Sequence, residues 1–172
     1  MAAYAVSASL GLAACSQHST GAYTTFTSER DGYKLTYPRS WLKRTDVPGL
    51  SLALFAERGQ RGGGLSVLVG EAIGGVTLDQ LGDRQIDKTL HANAGATLQS
   101  RAAATLGGRP AGRATVEIPP SSGHDPALSD MRWVVAGGQT YVVSFTAPSD
   151  LFASLAPAMD RVFASFALIG GK

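Results

Sequence analysis

Apolar and polar residues begin to alternate at Tyr33. Tyr33, Leu35 and Tyr37 fall on one face and Pro38 ends the run, which predicts a strand. Leu50, Leu52 and Leu54 alternate next, with Phe55 following, and Leu65, Val67 and Val69 resume the pattern. The Gly-rich residues 57–64 between them read as a loop, so the two runs predict a hairpin. Thr77 then fits the N-cap of a helix whose apolar stripe is Leu78, Leu81, Ile86 and Leu90, with Gly95 ending it. Residues 96–104 match neither period. Leu106-Gly107-Gly108-Arg109-Pro110 is a turn, and Ala114, Val116 and Ile118 form a strand closed by Pro119-Pro120. After a polar loop over residues 121–126, Met131, Trp133 and Val135 alternate, Gly137-Gly138 turns the chain, and Tyr141, Val143 and Phe145 return it. A Gly-Gly pair between alternating runs is a strong hairpin signal. Phe152, Leu155, Met159, Val162, Phe163 and Phe166 lie at helical spacing behind a Ser149 or Asp150 cap. Pro157 inside this stretch implies a later start or a kink. Strands, helix, strands and helix in that order predict an α+β fold with an antiparallel sheet.

Composition narrows the class. At 172 residues and 17.8 kDa the chain suits one domain, large enough to hold a core without disulfides or metals. Fifteen Lys and Arg against thirteen Asp and Glu leave a charge of +2, too small for nucleic-acid binding by bulk electrostatics. One cysteine excludes an internal disulfide and Cys-rich zinc sites. Residues 2–14 are thirteen small or apolar residues without charge, too few for a membrane-spanning helix, which needs about 20. They suit the apolar core and cleavage region of an export signal. Leu12-Ala13-Ala14-Cys15 matches a bacterial lipobox, making Cys15 the candidate lipidation site. The basic segment that should precede the apolar run is missing, since the first Lys or Arg is Arg30. The sequence therefore starts inside a longer precursor or is a mature end of unusual composition. A plain Ala-rich tail with a chance cysteine is the alternative. Residues 16–25 read as a tether, giving a targeting or tether segment over 1–25 and a folded domain over 26–172.

Candidate chemistry is sparse. The glycines of residues 58–64 lack the Gly-Lys-Ser/Thr ending and following helix of a phosphate-binding loop. Asp79, Asp83, Asp87 and His91 form a drifting stripe on the first helix, and Asp87 with His91, one turn apart, is the candidate metal pair. Arg84 and Lys88 beside them suit a solvated face. His124-Asp125 is a second candidate for metal or proton transfer. No Gly-x-Ser-x-Gly or His-Glu-x-x-His motif occurs, and no spacing groups Ser, His and Asp. The chain reads as a non-enzyme without a tightly bound cofactor. Arg39, Lys43 and Arg44 surround Trp41, which is expected to fill the core; with Arg58 and Arg61 they form the candidate partner-binding set.

Asp31-Gly32-Tyr33-Lys34-Leu35-Thr36-Tyr37-Pro38-Arg39-Ser40-Trp41 closely resembles the opening of the PsbP family, a DG(Y/F)-x-(L/F)-x-x-P-x-x-W strand and turn. The resemblance continues through Ser66-Val67, the Leu-x-x-Leu-Gly of Leu78 to Gly82, Gly138 with Tyr141, and Ser165-Phe166, spanning roughly residues 26–169. It implies an α-β-α sandwich around a central antiparallel sheet. It also implies a non-catalytic extrinsic subunit on the lumenal side of photosystem II, in the thylakoid lumen and peripheral to the membrane. Such a subunit supports oxygen evolution through calcium and chloride retention, or assists assembly, with calcium associated through the photosystem. The plant members use a longer polar N-terminal arm in ion retention, whereas a small, nearly uncharged arm precedes Asp31 here, so ion retention does not carry over residue by residue. Bacterial envelope lipoproteins share the fold, and Gly107 to Ala111 resembles them. The alternative role is therefore a lipid-anchored envelope protein binding a ligand or protein partner.

Overall fold

The computed structural model describes residues 22–56, 62–121 and 123–170. Its strands are β1 (Tyr23–Ser28), β2 (Tyr33–Pro38), β3 (Leu42–Arg44), β4 (Leu52–Phe55), β5 (Gly64–Glu71), β6 (Thr97–Leu106), β7 (Arg109–Ile118), β8 (Ala127–Ala136), β9 (Gln139–Pro148) and β10 (Ala167–Leu168). Two α-helices, α1 (Leu78–Ala92) and α2 (Ser149–Ser165), interrupt them. All pairings are antiparallel. The large sheet runs β3-β4-β5-β9-β8-β7-β6, and a small sheet runs β1-β2-β10.

Side-chain alternation divides the interior in two. Leu65 and Val67 of β5, Tyr141, Val143 and Phe145 of β9, and Val134 of β8 face α2 and the small sheet, where they meet Tyr33, Leu35, Met159, Phe163 and Phe166. Met131, Trp133, Val142, Ala114 and Val116 face the other way, onto Leu81 and Ile86 of α1. A sheet covered on both faces gives the α-β-α sandwich of the α+β class.

Local signals explain most element ends. The Thr77 hydroxyl accepts the Gln80 N–H at 3.2 Å while the Gln80 amide oxygen accepts the Thr77 N–H at 3.0 Å, a reciprocal cap that starts α1. At the other end the Asn93 amide donates to the Thr89 carbonyl, so α1 stops ahead of Gly95. Gly107 and Gly108 hold φ of 61° and 72°, the paired positive values of a two-residue hairpin turn between β6 and β7.

Four features depart from the sequence reading. Tyr23, Thr24 and Thr25 belong to β1, paired with Pro38, Tyr37 and Thr36, and are not tether. Residues 97–106 form a ten-residue strand, β6. It lies at the sheet edge with both faces largely exposed, so it carries no alternating pattern. The N-cap position of α2 is Pro148, ahead of the expected Ser149 or Asp150. The helix already starts at Ser149 and keeps the exposed Pro157 in its interior, so there is no later start.

Candidate partner-docking site

The residues that carry the sequence motif are largely consumed inside the fold. Asp31 sits in the β1–β2 turn, where its carboxylate accepts Arg30 Nε–H at 2.9 Å, the Ser28 hydroxyl at 2.9 Å and the Ser51 hydroxyl at 2.5 Å. Tyr33 in turn donates its hydroxyl to Ser51 at 2.9 Å. The resulting chain, Tyr33 to Ser51 to Asp31, ends on a carboxylate held down at about 2, chiefly by the Arg30 hydrogen bond and further by Ser51 and Ser28. Burial pushes the Tyr33 phenol up to about 12. The Tyr141 hydroxyl lies 3.0 Å from the Asp31 carbonyl oxygen and 2.5 Å from Gln139 Oε1. At the far end of the motif, Ser165 Oγ accepts the Thr36 N–H at 2.8 Å, and the Phe166 ring stacks on Tyr33 with centroids 5.4 Å apart. Trp41 is buried as expected and stacks on Phe145 at 6.1 Å. These groups fasten β2 to β4, β9 and α2.

A second buried polar cluster left no sequence signal. Asp130 of β8 is fully buried; its Oδ1 accepts Arg113 Nε–H at 3.0 Å, and Arg113 Nη2 lies 2.9 Å from its Oδ2. Arg132 approaches the same Oδ2 at 3.5 Å, donates to Asp160 of α2 at 3.1 Å and lies over the Phe163 ring at 3.9 Å. The cluster ties α2 to the sheet.

The sequence candidates are dispersed. Lys43 and Arg44 are neighbours on β3 and point to opposite faces. Lys43 Nζ sits 5.5 Å from the centre of the Phe26 ring, and Arg44 grips Asp46 through two bonds of 2.6 and 2.8 Å. Arg39 is exposed on the turn after β2. Arg58, Arg61 and Cys15 lie outside the described residues. The three described members therefore do not form one patch, because strand pleating separates the two that adjoin in sequence. On α1, His91 Nδ1 bonds the Asp87 carbonyl oxygen at 2.7 Å. Among the described residues no group of three His, Cys, Asp or Glu comes together to hold a metal. Asp79 and Asp83, from the same stripe, pair with Arg101 of β6 at 3.3 and 2.5 Å. His124 lines an open cleft of about 420 Å³ with Asn93 and Thr146.

No family model matches the chain. No curated protein matches it. Solved structures do. Cyanobacterial PsbP (CyanoP) from Synechocystis sp. PCC 6803 superposes with a TM-score of 0.63 at 18% identity, covering 91% of this chain and 98% of that one. This chain has a PsbP-like fold. The same PsbP-like architecture matches the Ran-binding protein Mog1p of Saccharomyces cerevisiae, with a TM-score of 0.61, 8% identity, and 87% and 97% of the two chains covered. It also matches LpqN, involved in cell envelope biogenesis of Mycobacterium tuberculosis, with a TM-score of 0.59, 14% identity, and 89% and 87% covered. Identities this low establish the fold. They agree with the motif geometry above, in which the recognisable residues build the PsbP-like scaffold.

Proposed function

We propose that this chain is a non-catalytic docking subunit that binds a protein partner at a membrane surface. The observation that carries this reading is the internal use of its polar motif residues. Asp31, Ser51, Tyr33, Tyr141 and Ser165 bond one another or the backbone, which leaves recognition to the outer surface. A neighbour of the same fold is, by its name, a Ran-binding protein. In its finer form the reading is an extrinsic lumenal subunit of photosystem II that supports oxygen evolution or assembly. The Asp31 to Trp41 run and the likeness to CyanoP support that form. Calcium would then be held by the photosystem and not by a ligand cluster of this chain.

A second form is a lipid-anchored bacterial envelope protein, favoured by Leu12-Ala13-Ala14-Cys15 and by the likeness to LpqN. Among the described residues no helix is long and apolar enough to cross a membrane. The deciding experiment is mild cross-linking in native membranes, isolation of the full-length chain, and mass spectrometry of its companions and its N-terminus. Photosystem subunits with a peptidase-cut start are expected for the first form; envelope proteins with a diacylated Cys15 would select the second. Recovery of the chain alone, with no cross-linked partner, would overturn the docking function.

A further inference from the structure

The two edges of the large sheet are built differently. At one end β3 has three residues and carries Lys43 and Arg44, the short, charged edge that discourages strand pairing. At the other end β6 has ten residues, Thr-Leu-Gln-Ser-Arg-Ala-Ala-Ala-Thr-Leu, with no proline and no lysine. Its one charge, Arg101, is turned onto Asp79 and Asp83 of α1. No strand lies outside β6 among the described residues.

The hairpin turn decides which peptide groups of this edge are free. A two-residue turn at Gly107-Gly108 makes Leu106 and Arg109 a hydrogen-bonded pair, and such pairs recur at every second residue. Ala104 and Ala102 therefore bond inward to Ala111 and Arg113. Thr105, Ala103 and Arg101 direct their N–H and C=O groups outward. The register supports this phase, since Pro110, which has no N–H, falls opposite Thr105 in a pair that needs none.

Beside this row lies a cavity of about 310 Å³ between the start of α1 and β6. Its floor is Trp133 and Gly112, and its rim is Leu78, Asp79, Arg101 and Ala103. Two carboxylates, one of them 92% exposed, stand against one guanidinium on this side of the edge. We propose that β6 is a docking edge. An extended peptide of the protein partner adds to it as an eighth strand, seats one aliphatic side chain over Trp133, and sets a Lys or Arg beside Asp79. Main-chain groups in a row are satisfied by another extended main chain, the cavity selects one side chain, and the acidic rim selects the neighbouring charge. The inference rests on the docking function above and names its surface.

Ala103→Pro tests it. The substitution removes an outward N–H and leaves the β6–β7 ladder intact, a position where an edge strand tolerates proline. Ala103→Lys is the second variant; it blocks the cavity mouth from an exposed site without touching the backbone. Phage-displayed random dodecapeptides are selected on the immobilised full-length protein, and hits are measured against all three proteins. The expected hits alternate apolar and polar residues, carry Lys or Arg next to an aliphatic, and protect the amides of Arg101, Ala103 and Thr105 from hydrogen exchange. Their binding should weaken about tenfold or more in both variants, through the lost main-chain bond in Ala103→Pro and through the blocked cavity in Ala103→Lys. Equal binding to the variants, protection elsewhere, or no enrichment over Ala103→Lys overturns the proposal. A wild-type dimer that Ala103→Lys disperses overturns the peptide occupant in favour of a second copy of the chain. In native membranes, a partner retained equally by both variants leaves the docking function standing and removes this surface. Peptide binding at β6 with no native partner does the reverse.

Discussion

Gly82 of α1 rests its bare Cα directly against the indole of Trp133 on β8. A Cβ at Gly82 would overlap the ring, and one at Gly112, beneath the same indole, would do so too. The indole N–H donates to the Leu78 carbonyl at 2.9 Å, one turn earlier on α1. The Leu-x-x-Leu-Gly run is thus a seat for Trp133. In a free helix Gly→Ala stabilises by about 1 kcal/mol. Here overpacking of about 1–3 kcal/mol opposes that gain, and the rigid neighbour is an aromatic ring wedged against a strand. Gly82→Ala is therefore expected to lower the melting temperature; a melt at or above wild type would contradict this contact.

Trp41 fills the space between the β2–β3 turn and Phe145. Trp41→Ala should cost about 3–5 kcal/mol in urea unfolding at constant m-value. An unchanged midpoint would mean that the ring is not core.

The Asp130 cluster separates buried from exposed charge. Asp130→Asn weakens the charge-assisted bonds that Arg113 makes to a buried carboxylate and should cost about 1.5–3 kcal/mol. Asp160→Asn removes the exposed partner of Arg132 and should cost under about 1 kcal/mol. Equal effects in denaturant melts would show that Asp130 is not the hub.

Asp31 gives acid dependence with a definite sign. Its folded carboxyl titrates at about 2, below the unfolded value of about 3.9, so its contribution is complete above pH 4 and disappears as pH falls through 2. The difference in melting temperature between wild type and Asp31→Asn should be constant from pH 7 to 5 and shrink between pH 4 and 2. A difference independent of pH over that lower range would show that Asp31 acts through shape alone.

How legible each element was depended on what its residues bury. Tyr33-Leu35-Tyr37 and Tyr141-Val143-Phe145 alternate because each strand turns one face to the α2 core. Thr77 announced α1 because capping is local chemistry. β6 was silent because an exposed edge strand places no demand on period, and β3 and β10 are too short to show one. Lys43 and Arg44 of the basic set do not share a face because adjacency along a strand means opposite faces in space. Asp31, Ser51 and Tyr141 meet across more than one hundred residues, and Asp130 meets Arg113 only through sheet register, which pattern reading does not supply. The Asp31 to Trp41 run nevertheless pointed to the right scaffold, since its residues are those that make it.

The β5–β9 pairing joins residues as far apart as Gly64 and Thr146, whereas β6 to β9 follow one another through short connections. The chain therefore assembles in two tempos. The β6–β9 meander closes through short loops at small entropic cost, while β5 must find β9 across a long intervening segment. If that search limits folding, weakening the seam at Val67 or Val143 is expected to slow refolding, and unchanged refolding rates would contradict it. Until the seam closes, β9 is paired with β8 on one side only, and its open edge, rich in Tyr, Val and Phe, is a site at which a newly made chain is prone to aggregate.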